Sequence, residues 1–372
     1  MQIDGIQIFR VAMPLLYPFR TAFDDTSTVE SVLVQMTSEG VSGWGEASPW
    51  GGPFYSGEWA AGAFLLLRDW LGPRLLHQDI CSGDDLQRML APFKGNPFAK
   101  ASLDLAWWDL HSKRAGKPLW QMLGGVGPLV EVGADFGVME NVDLLLSTIH
   151  DAVEGGYKRV KLKFRPGWDL EMVRAVRSTF PNQVFHIDCN SAYRLLNASL
   201  FEELDQFNLA MIEQPLAHDD LLDHSRLQSK IRTLICLDES ITSLEKTEKA
   251  IECGACGWIN IKPGRVGGIT PSLEILHAAE ARGIPCWIGG MLESSIGASA
   301  CIALATLTNI KYPSDIFPTS RFYDRDLGNR PIELAGPSTV RAFEGSGIGC
   351  EPDSEQLRKL TIESHVVECR LP

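Results

Sequence analysis

The sequence predicts an α/β protein built on a (β/α)8-type barrel, with an α+β N-terminal capping domain that the C-terminal segment completes. Strand-like runs separated by a turn open the chain, and helical periodicity follows them. From about residue 130, eight short apolar runs alternate with helical stretches. Such alternation predicts a parallel sheet, and eight repeats predict that the sheet closes into a barrel.

The N-terminal region is predicted to be a small meander followed by helices. Its strand-like runs begin near Ile6, at residue 31 and at Trp44. The helical stretches cover residues 58–70, 84–90 and 97–115. Gly116 and Pro118 end the last of them, because glycine favours a helix C-terminus and proline cannot continue a helix.

The barrel strands are predicted where short runs rich in β-branched or apolar residues occur. These runs are 131–137, 159–163, 184–188, 209–213, 233–238, 257–262, 284–289 and 310–315. Amphipathic helices fit between them, for example at 170–178 and 272–282. We therefore place the capping domain at 1–127, the barrel at 128–320 and a C-terminal segment that returns to the capping domain at 321–372. An open doubly wound sheet is the structural alternative.

Charged residues close five successive predicted strands at a spacing of 24 or 25 residues. They are Lys163, Asp188, Glu213, Asp238 and Lys262. One βα unit separates each from the next, so all five are predicted at the C-terminal mouth of the barrel, where active sites of this fold lie. The alternative is a set of structural ion pairs at the barrel rim.

Three carboxylates in one mouth predict a metal site. Asp188, Glu213 and Asp238 would repel one another unless a cation lay between them. Oxygen ligands suit Mg²⁺, with Mn²⁺ as the alternative. We predict these three residues as metal ligands, with Asn190 and Glu239 supporting them from nearby.

The lysines predict proton transfer. Lys161 and Lys163 lie two residues apart on one strand, so their side chains share a face, and Lys262 stands four strands later on the opposite wall. A cation between two lysine walls is predicted to hold a carboxylate substrate and to stabilise the enediolate that forms when its α-proton leaves. A lysine that is crowded by cations and partly desolvated has a lowered pKa, so it can act as a base near neutral pH.

Residues around the mouth are predicted to contact the substrate. The aromatic loops of the first domain are expected to act as a lid, with interface packing as the alternative. Arg265 either adds positive potential near Lys262 or is a solvated loop residue, and His186 is expected to be a packed core residue. The predicted contact residues are Phe19, Phe23, Trp50, Tyr55, Asp135, Arg265, Gly290, Met291 and Leu292.

Composition excludes several other classes of function. The net charge is −13, whereas nucleic-acid binding requires a basic face. The most apolar stretch is far shorter than the roughly 20 residues that cross a bilayer, and the N-terminus lacks the pattern of a signal peptide. Nine cysteines without dense spacing are typical of reduced thiols. We expect a cytoplasmic homo-oligomer that acts on a small carboxylate, with no nucleic acid or membrane as partner.

Several motifs resemble the enolase superfamily, in its muconate-lactonizing-enzyme subgroup. Residues 101–110 (ASLDLAWWDL) are similar to the segment that joins the capping domain to the barrel. The catalytic set is similar at 161–163 (KLK), 188–190 (DCN), 213–215 (EQP), 238–240 (DES) and 262–263 (KP). Sites of that superfamily use a lysine or histidine base with Mg²⁺.

Within the subgroup, residues 260–268 (NIKPGRVGG) and 287–294 (WIGGMLES) resemble the o-succinylbenzoate synthases and the related N-succinylamino acid racemases. The resemblance implies syn dehydration of a cyclohexadiene carboxylate in menaquinone synthesis, with Lys163 as base, Lys161 orienting the carboxylate and Lys262 as the cation on the opposite face. In a racemase, Lys163 and Lys262 would exchange protons on the two faces. Asp135 departs from the small neutral residue that relatives often carry there.

Overall fold

Three sheets organise the chain in the computed structural model, which describes residues 1–21 and 25–368. The first is an antiparallel sheet of the capping domain, in which the C-terminal strand pairs with the first strand of the chain. Its strands, in spatial order, are Thr361–Val366, Gly5–Arg20, Asp25–Ser38 and Val41–Ala47. The C-terminal segment thus returns to the N-terminal unit, and the domain bounds given above remain a proposal.

Both faces of this sheet are buried. Val32 and Val34 face the capping helices, whereas Leu33 between them belongs to the core shared with the barrel. Successive side chains of a strand point to opposite faces, so burial on both sides requires an apolar run rather than an alternating pattern. The helical elements that follow are Ala60–Leu66, a π-helical turn at Leu67–Leu71, Gly72–Leu75, Gly83–Leu90, Pro97–Arg114 and Leu119–Met122.

The long helix Pro97–Arg114 packs directly on the strand Val41–Ala47 through glycines. A Cβ atom on Gly45 would lie 2.2 Å from the carbonyl oxygen of Ser102 and 2.4 Å from the amide nitrogen of Ala106. Neither backbone atom can move without distorting the helix. The absence of a side chain at Gly45 therefore sets how closely strand and helix approach.

Gly45→Ala is expected to lower the free energy of unfolding by about 3 kcal/mol or more, because the added methyl group overlaps backbone atoms in a close-packed core. Urea denaturation measures the change. Gly127→Ala is the matched control, since its Cβ would have no neighbour within 4 Å. A loss at Gly45 no larger than at Gly127 would contradict this packing.

The second sheet is the parallel sheet of the barrel. Its seven strands are Ala134–Phe136, Arg159–Lys163, Val184–Asp188, Ile212–Glu213, Ile235–Leu237, Trp258–Ile261 and Cys286–Ile288. They neighbour one another in chain order, as the predicted barrel requires. The helices around them are Val142–Glu154, Leu170–Thr179, Ala198–Leu204, Leu221–Gln228, Leu244–Glu252, Pro263–Val266, Ile269–Ala281 and Ser295–Ala305.

The predicted eighth strand, 310–315, closes the ring through isolated bridges instead of a regular ladder. Ile310 bridges Cys286 on one side, and Ser314 bridges Val132 on the other. Pro313 has no backbone N–H, which interrupts a strand at this point. A 3₁₀ turn at Thr319–Arg321 follows this segment.

The predicted first barrel strand, 131–137, is divided at Gly133. Leu129–Glu131 joins a third sheet with Leu334–Gly336 and Thr339–Arg341. A Cβ atom at Gly133 would lie 2.1 Å from the Arg159 guanidinium, which occupies this part of the barrel interior. Short 3₁₀ turns at Leu195–Asn197 and Asp205–Phe207 and a helix at Ser354–Leu360 complete the structure. Among the described helices, none combines the length and apolarity that crossing a membrane requires.

A buried carboxylate joins the capping sheet to the barrel. Glu46 accepts hydrogen bonds from the hydroxyl of Ser294 at 2.5 Å and from the amide of Gly297 at 3.0 Å. Both donors lie at the N-terminus of the helix Ser295–Ala305, where amide groups lack partners within the helix. Glu46 therefore fixes the capping domain beside residues 290–292, which form part of the candidate site.

Candidate active site

The six charged residues singled out in the sequence meet at one end of the barrel. Lys163 pairs in register with Asp188, and Asp188 with Glu213, on adjacent parallel strands. Asp238 and Lys262 directly follow the strands Ile235–Leu237 and Trp258–Ile261. All six side chains, including that of Lys161, are buried. The spacing of 24 or 25 residues thus corresponds to one βα unit of the barrel.

One wall of the site joins Lys161 and Lys163 to the acids. The Lys161 ammonium lies 3.1 Å from Asp188 and 2.9 Å from Glu213, and that of Lys163 lies 2.7 Å from Asp188. Burial alone would raise the pKa of Asp188, but the two lysines outweigh burial and hold this pKa well below its usual value. Asp188 is therefore an anion at neutral pH.

The opposite wall carries Asp238 with Lys262. The Lys262 ammonium lies 2.9 Å from Asp238 and 4.7 Å from the centre of the Tyr55 ring. Arg265 also pairs with Asp238, and the Tyr55 hydroxyl lies 3.2 Å from it. Burial would raise the pKa of Asp238, yet Lys262 and Arg265 lower it overall. Each wall thus holds a buried anion surrounded by cations.

The expected lowering of a lysine pKa does not occur in this arrangement. Burial favours the neutral amine of Lys163, but Asp188 outweighs burial and raises the pKa of Lys163. Asp238 does the same for Lys262. The sequence argument counted the neighbouring cations but not the carboxylate that each ammonium pairs with.

A small cavity of about 30 Å³ lies between the two walls. It is lined by Lys161, Lys163 and Lys262 together with most of the residues predicted to contact substrate. Those residues are Phe19, Trp50, Tyr55, Asp135, Gly290, Met291 and Leu292. The aromatic loop residues therefore lie over the lysines, where a lid would stand.

Arg265 is the predicted contact residue of the described part of the chain that is not part of this cavity. Arg265 is 2% exposed and lies behind Tyr55, where its guanidinium donates to the carbonyl groups of Ile241 and Asn260. The solvated-loop alternative for Arg265 is therefore wrong, and Arg265 adds positive charge beside Asp238. Phe23 lies outside the described residues.

Gly290 lies against the backbone of Asp315, where a side chain would not fit. A Cβ atom there would lie 2.5 Å from the carbonyl oxygen of Asp315, and one at Gly289 would lie 2.3 Å from the side chain of Asn260. Gly290 therefore permits the tight closure of the ring between the seventh strand and segment 310–315.

Asn190 and Glu239 connect the two walls. The Asn190 amide donates to Glu239 at 3.0 Å, and the Asn190 backbone N–H donates to Asp188 at 3.0 Å. Burial, together with the nearby carboxylates of Asp238 and Asp188, raises the pKa of Glu239 to about 8. The outer oxygens Asn190 Oδ1 and Glu239 Oε2 are buried without a hydrogen-bond partner, which leaves acceptors available beside the three acids.

The donor set fits a hard divalent cation in its chemistry. Asp188, Glu213 and Asp238 supply only oxygen, and the unpartnered acceptors of Asn190 and Glu239 lie next to them. Within residues 1–21 and 25–368, however, no group of three or more His, Cys, Asp or Glu side chains is arranged so that it could hold a metal ion. Lysine ammonium groups already pair with carboxylate oxygens of Asp188, Glu213 and Asp238. Binding of a metal ion by these acids therefore requires the ion pairs to rearrange.

Sequence analysis did not identify the two residues beneath Lys161. Asp315 lies 2.9 Å from the Lys161 ammonium and 2.7 Å from the fully buried Arg159 guanidinium. Burial would raise the pKa of Asp315, but Arg159 and Lys161 lower it overall. Arg159, Asp315, Lys161, Asp188 and Lys163 thus form a row in which cations and anions alternate. The available signal was that 310–315 also ends in an acid, as three other predicted strands do.

His186 is buried below the site, as expected of a core residue. Its Nε2 atom lies 3.3 Å from Glu213 and its Nδ1 atom 3.1 Å from the Tyr312 hydroxyl. Burial lowers the pKa of His186, although Glu213 counteracts this effect. A neutral imidazole held in this way orients the Glu213 carboxylate.

Two protein-family models match the chain. The enolase C-terminal domain-like model matches residues 145–357, and the mandelate racemase / muconate lactonizing enzyme N-terminal domain model matches residues 3–124. Together they cover most of the barrel and most of the capping domain described above.

Comparison with known proteins finds relatives of nearly equal length. An N-succinylamino acid racemase of Thermus thermophilus is 43% identical over 94% of both chains. An o-succinylbenzoate synthase of Geobacillus kaustophilus is 41% identical over 96% of both chains. The crystal structure of an enolase-superfamily member from Listeria innocua superposes with a TM-score of 0.95 at 34% identity, over the whole of both chains.

Proposed function

The chain belongs to the mandelate racemase / muconate lactonizing enzyme family of the enolase superfamily, and on that premise we propose that it is an o-succinylbenzoate synthase. The reaction is the syn dehydration of 2-succinyl-6-hydroxy-2,4-cyclohexadiene-1-carboxylate, a step of menaquinone biosynthesis. The observation that carries the proposal is that Lys163 and Lys262 line one cavity from opposite walls, with Asp188, Glu213 and Asp238 beside them. The synthases among the relatives support the substrate.

The N-succinylamino acid racemase reaction is the alternative. A racemase needs one base on each face of the α-carbon, and the two lysines satisfy that requirement. Racemases from two organisms, at 43% and 40% identity over nearly the full chain, support it. The same cavity can serve both reactions because each begins with loss of the proton next to a carboxylate.

Asp188, Glu213 and Asp238 are proposed to hold Mg²⁺, with Mn²⁺ as the alternative, and Asn190 and Glu239 are proposed to support them. The cation, when bound, would neutralise the carboxylates that now pair with the lysines and would stabilise negative charge on the substrate carboxylate as its α-proton leaves. All-oxygen ligation supports this choice of metal.

The remaining chemistry is assigned to the lysines. Lys161, which Asp315 holds from below, orients the substrate carboxylate. Lys163 takes the α-proton at its Nζ atom as the neutral amine, a form that becomes accessible when Asp188 no longer pairs with it. The resulting ammonium returns a proton to the departing hydroxide, so that both events occur on one face, as a syn elimination requires. Lys262 supplies a positive charge on the other face. Phe19, Trp50 and Tyr55 cover the cavity and exclude water.

A direct assay ranks the two reactions. Purified protein with Mg²⁺ is expected to dehydrate the cyclohexadiene carboxylate, and EDTA is expected to abolish the activity until Mg²⁺ or Mn²⁺ is added back. Deuterium exchange at Cα of both enantiomers of an N-succinylamino acid tests the racemase. Negligible dehydration beside rapid exchange would reverse the ranking, and full activity in EDTA would contradict the metal site.

We also propose that the protein is cytoplasmic and assembles as a homo-oligomer. The free cysteines of the described residues support a reducing compartment. Trp70, Val126 and Leu334 are exposed apolar side chains that such an assembly could cover. Size-exclusion chromatography with light scattering measures the oligomeric state.

A further inference from the structure

A second cavity, of about 420 Å³, adjoins the catalytic cavity. Phe19 and Asp135 line both cavities and so form the wall between them. We call the second cavity the annex. Its surface is mostly apolar, with contributions from Tyr17, Phe136, Met139, Leu144, Arg321 and Phe322. A substrate arm that extends past Asp135 would enter the annex.

Arg321 is the cation at the inner wall of the annex. Its guanidinium lies over the rings of Phe136 and Phe322, at 5.4 and 5.6 Å from their centres. Its Nη2 atom donates to the carbonyl oxygen of Asp135 at 2.6 Å, whereas its Nε atom is buried without a hydrogen-bond partner. The aromatic rings and the carbonyl fix the position of the charge. The Nε–H group can still donate a hydrogen bond to a ligand.

Arg321 differs from the other basic residues of the two cavities in its lack of an anionic partner. Lys161, Lys163 and Lys262 each pair with a carboxylate, and Arg20 lies 3.6 Å from Asp25. Within the described part of the chain, no carboxylate lies within 4.0 Å of Arg321. A positive charge on an apolar wall without a counterion favours an anionic ligand.

The annex is close to the reacting centre. The Lys163 ammonium lies 5.7 Å from the centre of the Phe19 ring, and the Phe19 ring lies 5.8 Å from that of Phe322, next to Arg321. The rings of Phe19 and Phe322 therefore lie between the proposed base Lys163 and the Arg321 guanidinium. Lys161 is proposed to orient the reacting carboxylate, so a further carboxylate on the substrate would lie toward Arg321.

We propose that Arg321 binds a second, remote carboxylate of the substrate in the annex, and that the enzyme therefore selects dicarboxylates whose apolar arm ends in an anion. This proposal rests on the proposed function. The substrates of both candidate reactions have such an arm, since a succinyl group ends in a carboxylate. The positive charge at the Asp135 carbonyl also offsets the repulsion that the Asp135 carboxylate would exert on that group.

The test compares N-succinyl-L-phenylalanine with its terminal primary amide, which has nearly the same shape but no remote charge. Deuterium exchange at Cα gives kcat/KM for each compound, and calorimetry gives its Kd. The wild type is expected to prefer the acid by about tenfold to a hundredfold, the worth of a charge-assisted hydrogen bond. Arg321→Met is expected to remove this preference, so that the acid and the amide have similar kcat/KM and similar Kd.

Arg20→Met is the matched control, because it removes a cation from the same cavity that already has a partner, and it is expected to keep the preference. Arg321→Lys retains the charge and is expected to keep part of the preference for the acid. This variant also provides the test if Arg321→Met does not fold. Equal Kd values for acid and amide in the wild type, or loss of the preference in Arg20→Met instead, would overturn the proposal. Absence of exchange with both compounds would count against the racemase reaction alone, since the Kd ratio still reports on Arg321.

Discussion

Lys163→Ala is expected to lower kcat/KM for dehydration by about 10²- to 10⁴-fold, the usual contribution of a general acid–base group. Lys163 is the residue whose amine is proposed to remove the α-proton and to protonate the leaving hydroxide, and no other side chain of that wall takes its place, because Lys161 pairs with three carboxylates. Steady-state kinetics with the cyclohexadiene carboxylate measures the change.

Lys158→Ala is the control for that experiment. Lys158 directly precedes the same strand, but its side chain is largely exposed and pairs with Glu131. Its replacement should leave kcat/KM unchanged. A Lys163→Ala enzyme with more than a small fraction of wild-type activity, at equal thermal stability, would show that another group removes the proton.

Asp188→Asn is expected to weaken Mg²⁺ binding by about a hundredfold or more, because even residues that only support metal ligands are worth 10- to 100-fold in affinity. The substitution keeps the size of the side chain and its carbonyl oxygen but removes the negative charge. Titration with Mn²⁺ monitored by electron paramagnetic resonance gives the dissociation constant.

Glu171→Gln is the matched control for the metal titration. Glu171 lies on the helix Leu170–Thr179 and is almost fully exposed, so its replacement should not change the affinity. Undiminished Mn²⁺ binding by Asp188→Asn would exclude Asp188 as a ligand and would support the alternative of structural ion pairs at the rim.

The fold could be predicted from sequence where the pattern is repetitive. Strand and helix alternate with one period through most of the barrel, and the charged residue at the end of each repeat marks the same edge of the sheet. Lys163, Asp188 and Glu213 were therefore placed side by side without coordinates, and the structure brings them into register. The prediction of an α/β barrel with a capping domain is confirmed.

The prediction was less accurate where tertiary contacts override the local pattern. Segment 310–315 has apolar residues typical of a strand, yet Pro313 limits it to isolated bridges. Arg159 lies in a strand where a buried charge is unexpected, and its anionic partner Asp315 is distant in sequence. The pKa of Lys163 depends on its distance from Asp188, a quantity that spacing along the chain does not contain.

Among the substrate-contact residues, too, some follow from the local sequence pattern and others depend on tertiary contacts. Tyr55 and Met291 were placed at the mouth because they follow turn-rich or strand-end motifs, and both line the cavity. Arg265 stands three residues after Lys262, but the first turn of the helix Pro263–Val266 directs it behind Tyr55. Arg321 is not among the predicted contact residues, because its surroundings come from strands and loops that are remote in sequence.

The most direct test of the site is a crystal structure of the protein soaked in Mn²⁺, with anomalous scattering recorded near the manganese edge. We predict one anomalous peak per chain, bounded by carboxylate oxygens of Asp188, Glu213 and Asp238, with the Lys163 and Lys262 ammonium groups on opposite sides of it. A peak elsewhere, or none while the lysines remain paired with these acids at saturating Mn²⁺, would contradict a metal-dependent proton-transfer site.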